Sequence, residues 1–296
     1  MRRPEISVIV PFLDAHLYLP RCLGSLLGQT LGADDYELIF VDNDSSDGGA
    51  DIVAAHPRVR LLREPRRGAY AARNLGLREA CGRILAFTDP DCEAEPDWLE
   101  RIAATMRDDS LGVLLGHRLP ATDGGVLSLV MAYESQKAAY VTGSGSRDLV
   151  FGHANNMAVR RAVMEQVGPF PEVQRGGDTI LVRRAVDAFG CGVVRYRPEV
   201  RVRHLEVGTL RGYYGKARLY GGSNERLRAF VPFRPLRSSE RWEVFRRTLA
   251  EQRCSAGRAA LLLAALVPGA LCYEWGRHAL GGRRNGDGLR AGPGDL

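Results

Sequence analysis

Hydrophobic positions in the first 115 residues alternate between short apolar runs and amphipathic segments. The run from Ile6 to Val10, ended by Pro11, is rich in β-branched residues and predicts a buried strand of a parallel sheet. The segment 19–27 then places apolar side chains at the i, i+3, i+4, i+7 and i+8 positions of a helix with one buried face. A second apolar run from Tyr36 to Val41 completes a strand, helix, strand unit, which predicts a βαβ fold.

The same alternation continues to about residue 115, with strands expected at 59–62 and 84–88, helices at 69–80 and 96–106, and an apolar run at 111–115. Beyond it the pattern is less regular, and glycines at 124–125 and in the Gly/Ser segment 143–146 interrupt the chain. The fold class predicted from this pattern is α/β, with a mostly parallel central sheet flanked by helices.

Acidic side chains follow three of the predicted strands at the point where each strand ends. Asp14 follows the first, the segment 42–47 follows the second, and Asp89 and Asp91 follow the strand at 84–88. Asp and Asn are also common turn and cap residues, so each one alone has an ordinary structural explanation. Because ligands bind beyond the carboxyl ends of strands in open parallel sheets, the three together predict a binding site at this edge.

The C-terminal part contains one strongly apolar run, from Ala259 to Tyr273, interrupted by Pro268 and Gly269. These 15 residues would span about 22 Å as a helix, which is shorter than the hydrocarbon core of about 30 Å. A spanning helix is therefore not expected. Arginines flank the run, so an interfacial helix on anionic lipid is one interpretation, and a core helix packing on the main domain or on a second copy is the other.

Composition and charge distinguish the C-terminal part of the chain from the rest. The chain has 296 residues, 45% hydrophobic and 26% charged, which is an ordinary globular composition with room for about two domains or one extended domain. The formal net charge is +6, but residues 226–296 hold 13 Arg and 6 acidic residues, a net of +7, whereas residues 1–225 carry a net of −1. The basic character belongs to the C-terminal extension, and no nucleic-acid-binding motif accompanies it, so no nucleic-acid partner is expected.

Cysteine spacing and the N-terminus bear on location. The six cysteines are scattered and form no zinc-ligand pattern, which favours a reduced compartment. The first residues lead almost directly into the first strand, without the apolar segment of a signal peptide. We therefore expect a cytoplasmic protein, with association to the inner face of the membrane left open.

The pair Asp89 and Asp91 suggests metal chemistry. Two carboxylates one residue apart, at the end of the strand that finishes with Phe87 and Thr88, are suited to a hard divalent cation such as Mg²⁺ or Mn²⁺. Such a cation commonly bridges a carboxylate to substrate phosphates. A DxD pair alone is weakly specific.

Six blocks in order make the pattern specific. They are SVIVP at 7–11, VDNDSSD at 41–47, GAYAARNLG at 68–76, FTDPD at 87–91, NNMAVRR at 155–161 and VGPF at 167–170. Together they resemble the family-2 glycosyltransferases of the GT-A fold over roughly residues 5–225. The resemblance implies an enzyme that moves a sugar from a nucleoside-diphosphate sugar to a hydroxyl acceptor with inversion.

The resemblance also implies a nucleotide-binding set. Asp42 and Asn43 would hold the base, although relatives often carry a second acid where this chain has Asn43. Pro11 and Leu13 lie on the adjoining loop, where Leu13 and Asp14 replace the family's usual Tyr-Asn pair. The remaining expected nucleotide contacts are Gly68, Arg73 and Asp89.

The expected general base is Asp178. The family usually has a Glu-Asp pair before a helix, and here Gly177 replaces the Glu. Inverting transfer needs a carboxylate that takes the proton of the attacking hydroxyl, and Asp178 stands at that position. The competing explanation is that Asp178 only caps its helix.

Further site residues are expected around these groups. The expected metal ligands are Asp91, Asp89 and His204, where His204 ends a strand-like stretch in the place of a third ligand in several GT-A enzymes. Asn155, Asn156 and His153 are expected to contact the acceptor. The cationic and aromatic segment 211–218 is either a cover for the diphosphate or a solvated helix face.

The predicted organisation has three parts. Residues 1–120 form the nucleotide-sugar-binding half, residues 121–225 form the acceptor-binding and catalytic half of the same domain, and residues 226–296 form a basic, partly apolar helical extension. Expected partners are a nucleotide sugar, a hydroxyl acceptor (a glycan, a lipid-linked or a small molecule) and Mg²⁺ or Mn²⁺, with membrane contact and a homodimer left open. The alternative, suggested by Gly177, is a non-catalytic sugar-nucleotide-binding or scaffold subunit of a membrane glycan-assembly complex.

Overall fold

The computed structural model describes residues 3–281. Its first part alternates strands and helices: β1 (Ile6–Phe12), α1 (Leu19–Leu27), β2 (Tyr36–Asp42), α2 (Gly49–Ala54), β3 (Val59–Arg63), α3 (Ala69–Glu79), β4 (Ile84–Thr88), β5 (Cys92–Ala94), α4 (Trp98–Thr105) and β6 (Val113–Pro120). The elements predicted from the hydrophobic pattern are confirmed with small shifts at their ends, because the central strands are short apolar runs and helices such as α1 carry one buried face.

The second part is more helical than its irregular pattern indicates. It contains α5 (Gly125–Gly143), β7 (Asn156–Arg160), α6 (Arg161–Val167), α7 (Gly177–Phe189), β8 (Val194–His204), α8 (Leu210–Leu227), α9 (Ser238–Glu251) and α10 (Ala256–Gly281). The glycines at 124–125 and 143–146 lie at the two ends of α5 and delimit that 19-residue helix.

Within residues 3–281 the strands form one eight-stranded sheet in the order β3-β2-β1-β4-β7-β6-β8-β5. The pairs β2/β3, β1/β2, β1/β4 and β6/β8 are parallel, whereas β7 is antiparallel to both β4 and β6, and β5 is antiparallel to β8. The sheet is therefore mixed. Because β7 reverses direction between β4 and β6, strands β1, β2, β4, β6 and β8 all end at the same edge, and the predicted α/β class is confirmed.

Buried side chains lie on both faces of this sheet. Val8 and Val10 of β1 belong to a core with α1 and α4, and Ile9 between them faces a second core with α3 and α7. The alternation follows from the two-residue period of a strand. The result is a helix, sheet, helix arrangement that holds the strand ends rigidly.

The C-terminal helices form a third apolar cluster outside the sheet. Leu129, Val130 and Tyr133 of α5 pack against Val244 and Phe245 of α9, and Leu262 and Ala265 of α10 complete the cluster. Helix α8 passes across residue 225, so the last helix of the main domain continues into the predicted extension. The predicted three-part division stays a proposal.

Helix α10 corrects the length argument. It runs without interruption through Pro268 for 26 residues, about 39 Å, so the expectation that the apolar run is too short to span was wrong. By length and composition Ala256–Ala279 satisfies the criteria for a membrane-crossing helix, although core helices of soluble proteins can also satisfy them. The contacts of α10 with the rest of the protein are therefore needed to distinguish a membrane-crossing helix from a core helix.

Candidate active site

Two loops at the common strand edge are tied to each other. The amide of Asp14, after β1, donates to Ser45 Oγ at 3.1 Å, and Asp14 Oδ1 accepts the amide of Ser46 at 2.8 Å. The amide of His16 donates to Asp47 Oδ2 at 2.7 Å. Asp14 has a positive φ of 45°, a strained conformation for a side chain of this type. The loops after β1 and β2 therefore form one preorganised wall.

The expected base-binding pair divides into two roles. Asp42 is buried, and its Oδ1 accepts the amide of Ser45 at 2.9 Å. Asn43 Nδ2 donates to the carbonyls of Glu64 and Arg66, both at 2.8 Å, and its Oδ1 accepts the amide of Gly68 at 2.7 Å. The Asn43 amide is thus occupied by backbone groups.

Asn43 has a structural role at the expected base site. It is 2% exposed and holds the segment 64–68 against the end of β2. Gly68, at the start of α3, has a φ of 136°, which only glycine adopts easily. Pro11 is buried and Leu13 is half-buried at the end of β1. The expected contact of Asn43 with the base stays a prediction.

Arg73 of α3 pairs with Asp89, which follows the end of β4. Its guanidinium is buried, donates to Asp89 Oδ1 and lies over the ring of Tyr70, 5.3 Å from the ring centroid. Arg73 Nε has no hydrogen-bond partner among the described residues. Asp89 is therefore directed to Arg73, and it does not belong to the group of candidate metal ligands that the described chain brings together.

That group consists of Asp91, Cys92 and His204, whose ligand atoms lie within 4.8 Å of one another. His204 Nδ1 is 3.3 Å from Asp91 Oδ2, is buried, and finds no hydrogen-bond partner in the described part of the chain. Burial and the nearby Lys216 lower the pKa of His204 to about 2, so the imidazole is neutral at physiological pH. A neutral, buried and unpartnered nitrogen facing a carboxylate fits a cation ligand.

The other two members differ in chemistry. Burial and the neighbouring Asp89 carboxylate raise the pKa of Asp91. Burial, with Asp91 and Asp89 nearby, raises the pKa of Cys92 far above its ordinary value. The arrangement therefore brings Asp91 and His204 together as predicted ligands, with Asp89 held beside them by Arg73.

Lys216 of α8 joins this cluster from outside the sheet. Its Nζ is 3.1 Å from His204 Nε2 and 2.7 Å from Glu206 Oε2. In the same segment, the Tyr213 hydroxyl donates to Glu134, and the Arg218 guanidinium lies over the ring of Trp275. Of the two interpretations for 211–218, Lys216 matches the one that places a cation at the site, and the other side chains attach α8 to its neighbours.

Asp178 lies in the first turn of α7 and is half-buried. Its Oδ1 accepts the Thr179 amide at 2.8 Å and the Tyr70 hydroxyl at 3.2 Å, and its Oδ2 accepts the Ala154 amide at 3.1 Å. Burial raises its pKa, while Arg73 and these hydrogen bonds oppose that rise. Gly176 takes the N-cap position, so Asp178 is not the cap residue.

The glycine that replaces the family's usual Glu has a structural reason. A Cβ atom at Gly177 would lie 2.8 Å from the carbonyl oxygen of Pro171 and 3.0 Å from the ring of Tyr70. Tyr70 therefore occupies the space beside Asp178, and its hydroxyl bonds the carboxylate. Gly152 similarly allows the segment 152–154 to approach α7, since a Cβ there would lie 2.6 Å from the carbonyl oxygen of Asp178.

The three expected acceptor residues are placed differently. Asn156 is fully buried: it accepts from Trp98 Nε1 at 2.9 Å and donates to the carbonyls of His117 and Val200. Both polar atoms of Asn156 have partners in the protein, and its expected contact with an acceptor stays a prediction. Asn155 Oδ1 is buried and unpartnered within residues 3–281.

His153 is also buried. Its Nε2 lies 3.0 Å from the carbonyl oxygen of Gly116, and Nδ1 has no hydrogen-bond partner among the described residues. Burial lowers the pKa of His153 to about 3, so the ring is neutral. Asn155 and His153 therefore retain polar atoms for a ligand, and their assignment stays a prediction.

Sequence reasoning missed Tyr70 and left the position of Lys216 open. Tyr70 lies inside the block at 68–76, so its place in a ligand-binding segment was a signal, but its bond to Asp178 joins positions 108 residues apart. Glu64 was missed as well. It is buried and paired with Arg66 at 2.8 Å, which lowers the pKa of Glu64.

Comparison with known proteins shows which family the sequence matches. The family model described as Glycosyl transferase family 2 matches residues 7–168. Glycosyltransferase AglE of Haloferax volcanii is 32% identical over 222 residues, covering 69% of this chain and 72% of the relative. A putative glycosyltransferase of Bacillus subtilis, EpsH, is 28% identical over 172 residues, and the match spans about half of each chain, 56% of this one and 49% of EpsH.

Solved structures share the fold. The mannosyltransferase PcManGT from Pyrobaculum calidifontis, in complex with GDP-Man and Mn²⁺, superposes with a TM-score of 0.63 at 20% identity, covering 95% of this chain and 86% of that one. Staphylococcus aureus TarS in complex with UDP gives a TM-score of 0.55 at 17% identity, covering 93% and 83% of the two chains. At these identities the similarity concerns the arrangement of helices and strands.

Proposed function

The chain belongs to glycosyl transferase family 2 and is an enzyme of that class, and we propose that it transfers a sugar with inversion from a nucleoside-diphosphate sugar to an acceptor hydroxyl group. In this reaction the acceptor oxygen bonds to the anomeric carbon as the bond to the diphosphate breaks. The acceptor proton passes to Asp178, and the nucleoside diphosphate leaves.

The hydrogen bonding of Asp178 carries the proposal. A carboxylate has about four acceptor positions, and Tyr70, Thr179 and Ala154 use three of them. The remaining position, on Oδ2, is available to an acceptor hydroxyl. Burial raises the pKa of Asp178, which makes the carboxylate a better proton acceptor than one in water.

Asp91 and His204 would hold a divalent cation, and Arg73 would stabilise the donor diphosphate from the side of Asp89. Such a cation supplies charge neutralisation for the departing diphosphate. A carboxylate with an imidazole suits Mn²⁺ better than Mg²⁺, which prefers oxygen ligands. The complex of PcManGT with Mn²⁺ and GDP-Man supports this class of donor and metal.

Lys216 would contribute a second positive charge. With a cation on His204 Nδ1, the imidazole proton would reside on Nε2, so Lys216 would lose that hydrogen-bond acceptor and would keep Glu206. Its ammonium group is then available to diphosphate oxygens. The wall formed by Asp42 and the loops after β1 and β2 would receive the base.

The alternative of a non-catalytic subunit depends on Gly177. Because Tyr70 fills the space of a side chain at that position and bonds Asp178, the missing Glu does not require lost chemistry. No observation in the described residues favours the alternative further.

The test compares Asp178→Asn with the matched control Asp187→Asn, an exposed position on the same helix. Transfer and slow donor hydrolysis are measured with UDP- and GDP-sugars, including UDP-GlcNAc and GDP-mannose, and Mn²⁺. We expect Asp178→Asn to lose about 10²–10⁴-fold in turnover, because an amide cannot accept the proton. Stabilisation by Mn²⁺ with a nucleoside diphosphate should persist in both variants. Full turnover by Asp178→Asn would remove the assignment of the base.

A further inference from the structure

Helix α10 presents an uncovered apolar face. Five large side chains on it are half exposed or more: Leu261, Leu263, Val267, Leu271 and Trp275, with exposed fractions of 49–66%. Four of them recur every fourth residue from 263 to 275, so they form one stripe along about 18 Å of helix. We call these five residues the α10 apolar face. Exposed apolar side chains that are contiguous on one helix indicate an interaction surface.

The opposite side of α10 is committed to the rest of the protein. Leu262 and Ala265 are buried in the cluster with α5 and α9. Toward α8 the backbones approach closely: a Cβ at Gly276 would lie 1.9 Å from the carbonyl oxygen of Arg218, and one at Gly221 would lie 2.0 Å from that of Tyr273. The helix is therefore attached to the domain along its length and is not free to reorient alone.

This attachment argues against a membrane span. Helix α8 lies along α10 and carries charged side chains, among them Arg211, Lys216 and Glu225. If α10 crossed a bilayer, α8 would be drawn to the same depth, and burying its charges in hydrocarbon is costly. A helix that lies parallel to the surface, with one face in contact with lipid, avoids that cost.

The charged side chains around the α10 apolar face indicate what kind of surface it contacts. Arg253 and Arg258 are exposed where α10 begins, and the Arg218 guanidinium covers the ring of Trp275 near its other end, 3.9 Å from the ring centroid. Glu274 is the one acidic residue in the sequence of α10, and it is paired with Arg277. Two copies of this face would bring arginines together in either relative orientation, whereas an anionic surface complements both ends.

We infer that the α10 apolar face docks on an anionic lipid surface, with the helix lying in the headgroup region. Its apolar side chains enter the boundary of the acyl chains, Trp275 lies at the level of the headgroups, and the flanking arginines contact lipid phosphates. The two interpretations of the apolar run then apply to opposite sides of α10: one side packs on the main domain, and the other side meets lipid. The inference does not depend on the proposed reaction.

The test uses the full chain with vesicles of phosphatidylcholine alone or mixed with phosphatidylglycerol. We expect flotation with the anionic vesicles, reduced between about 0.1 M and 1 M salt, and little binding to the neutral ones. The double variant Val267→Asp/Leu271→Asp should weaken binding more than about tenfold, because two carboxylates enter the apolar face. The matched control is Leu17→Asp, at a position that is 76% exposed on the distant loop before α1, and it should bind like the unaltered chain.

Other outcomes would overturn the inference. Equal binding by the double variant and the unaltered chain excludes this face as the contact. Resistance of the bound chain to extraction by alkaline carbonate indicates a span. Failure to bind anionic vesicles, with a dimer in sedimentation that the double variant loses, assigns the face to a second copy. Unfolding temperatures of all variants verify that substitutions at exposed positions leave the fold intact.

Discussion

The carboxylate of Asp178 is held in place by hydrogen bonds from three parts of the chain. Tyr70 comes from α3, Ala154 from the segment before β7, and Thr179 from α7 itself. The side chain of Tyr70 is possible at this place because residue 177 lacks a Cβ atom. A departure from the family pattern at one position is thus linked to the packing of a tyrosine 107 residues earlier.

Tyr70 is a positioning residue, and replacing it should change the proton affinity of Asp178. Its hydrogen bond favours the ionised carboxylate. In Tyr70→Phe the pKa of Asp178 should therefore rise further, and the acidic limb of the pH profile of kcat should move to higher pH. A hydrogen bond to a charged group contributes about 1.5–3 kcal/mol, so we expect a shift of about one pH unit or more.

The control for this substitution is Tyr36→Phe. That residue is also buried and donates to the carbonyl of Leu26 at 3.1 Å, away from the site. It should lower the unfolding temperature without moving the pH profile. If Tyr70→Phe lowers stability but leaves the limb where it was, Tyr70 has a packing role only.

Residue type and motif order predicted several positions of the site but not their bonding. Asp91, His204, Arg73 and Asp178 could be named as candidates from the sequence, because the ordered blocks of the chain resemble those of a known family. The partners of Asn156 could not be predicted, because they lie far away along the chain; Trp98, for example, is 58 positions away. A sequence does not show which polar groups are already satisfied.

Among the elements, the first strands and helices were predictable and α8 was not. Each of β1, β2 and β4 is a continuous apolar run because helices cover both faces of the sheet. Helix α8 is mostly polar and contains Gly212, Gly215, Gly221 and Gly222, a composition that lowers helix propensity. Gly221 is explained by the close approach of α10, which no local pattern reveals.

The crossing of α8 and α10 should be sensitive to one methyl group. In Gly276→Ala the new Cβ would overlap the backbone of Arg218, so the two helices must separate. We expect a loss of about 1–3 kcal/mol in the free energy of unfolding, as for other overpacked contacts. Because α8 carries Lys216, affinity for a nucleoside diphosphate with Mn²⁺ should fall as well.

Gly257 offers a control within the same helix. No heavy atom outside its local backbone lies within 4 Å of a Cβ built there, so Gly257→Ala should be neutral or should stabilise by up to about 1 kcal/mol through helix propensity. Urea unfolding of both variants measures the difference. Equal stabilities would mean that the two helices are not in close contact in solution.

For the molecule as a whole, the C-terminal basic segment packs into the fold, and the outer side of α10 is the surface that we propose to meet lipid. Its net charge of +7 and its apolar run suggested a separable tail. The structure instead places α9 and α10 over α5, where they cover apolar side chains of the main domain. Sequence periodicity could not show this, because the cluster joins residues near 130, 245 and 262, which are far apart along the chain.

Phe245 tests this integration. It is 7% exposed within the cluster that joins α9 to α5, whereas Trp242 on the same helix is 59% exposed. Phe245→Ala should lower the free energy of unfolding by about 3–5 kcal/mol, and Trp242→Ala by much less, because only the first leaves a cavity between two parts of the chain. A single unfolding transition that shifts for Phe245→Ala, followed both by fluorescence and by loss of nucleotide binding, would show that the extension and the sheet domain unfold together. Two separate transitions, with nucleotide binding unaffected by the first, would instead make residues 226–296 an independent unit.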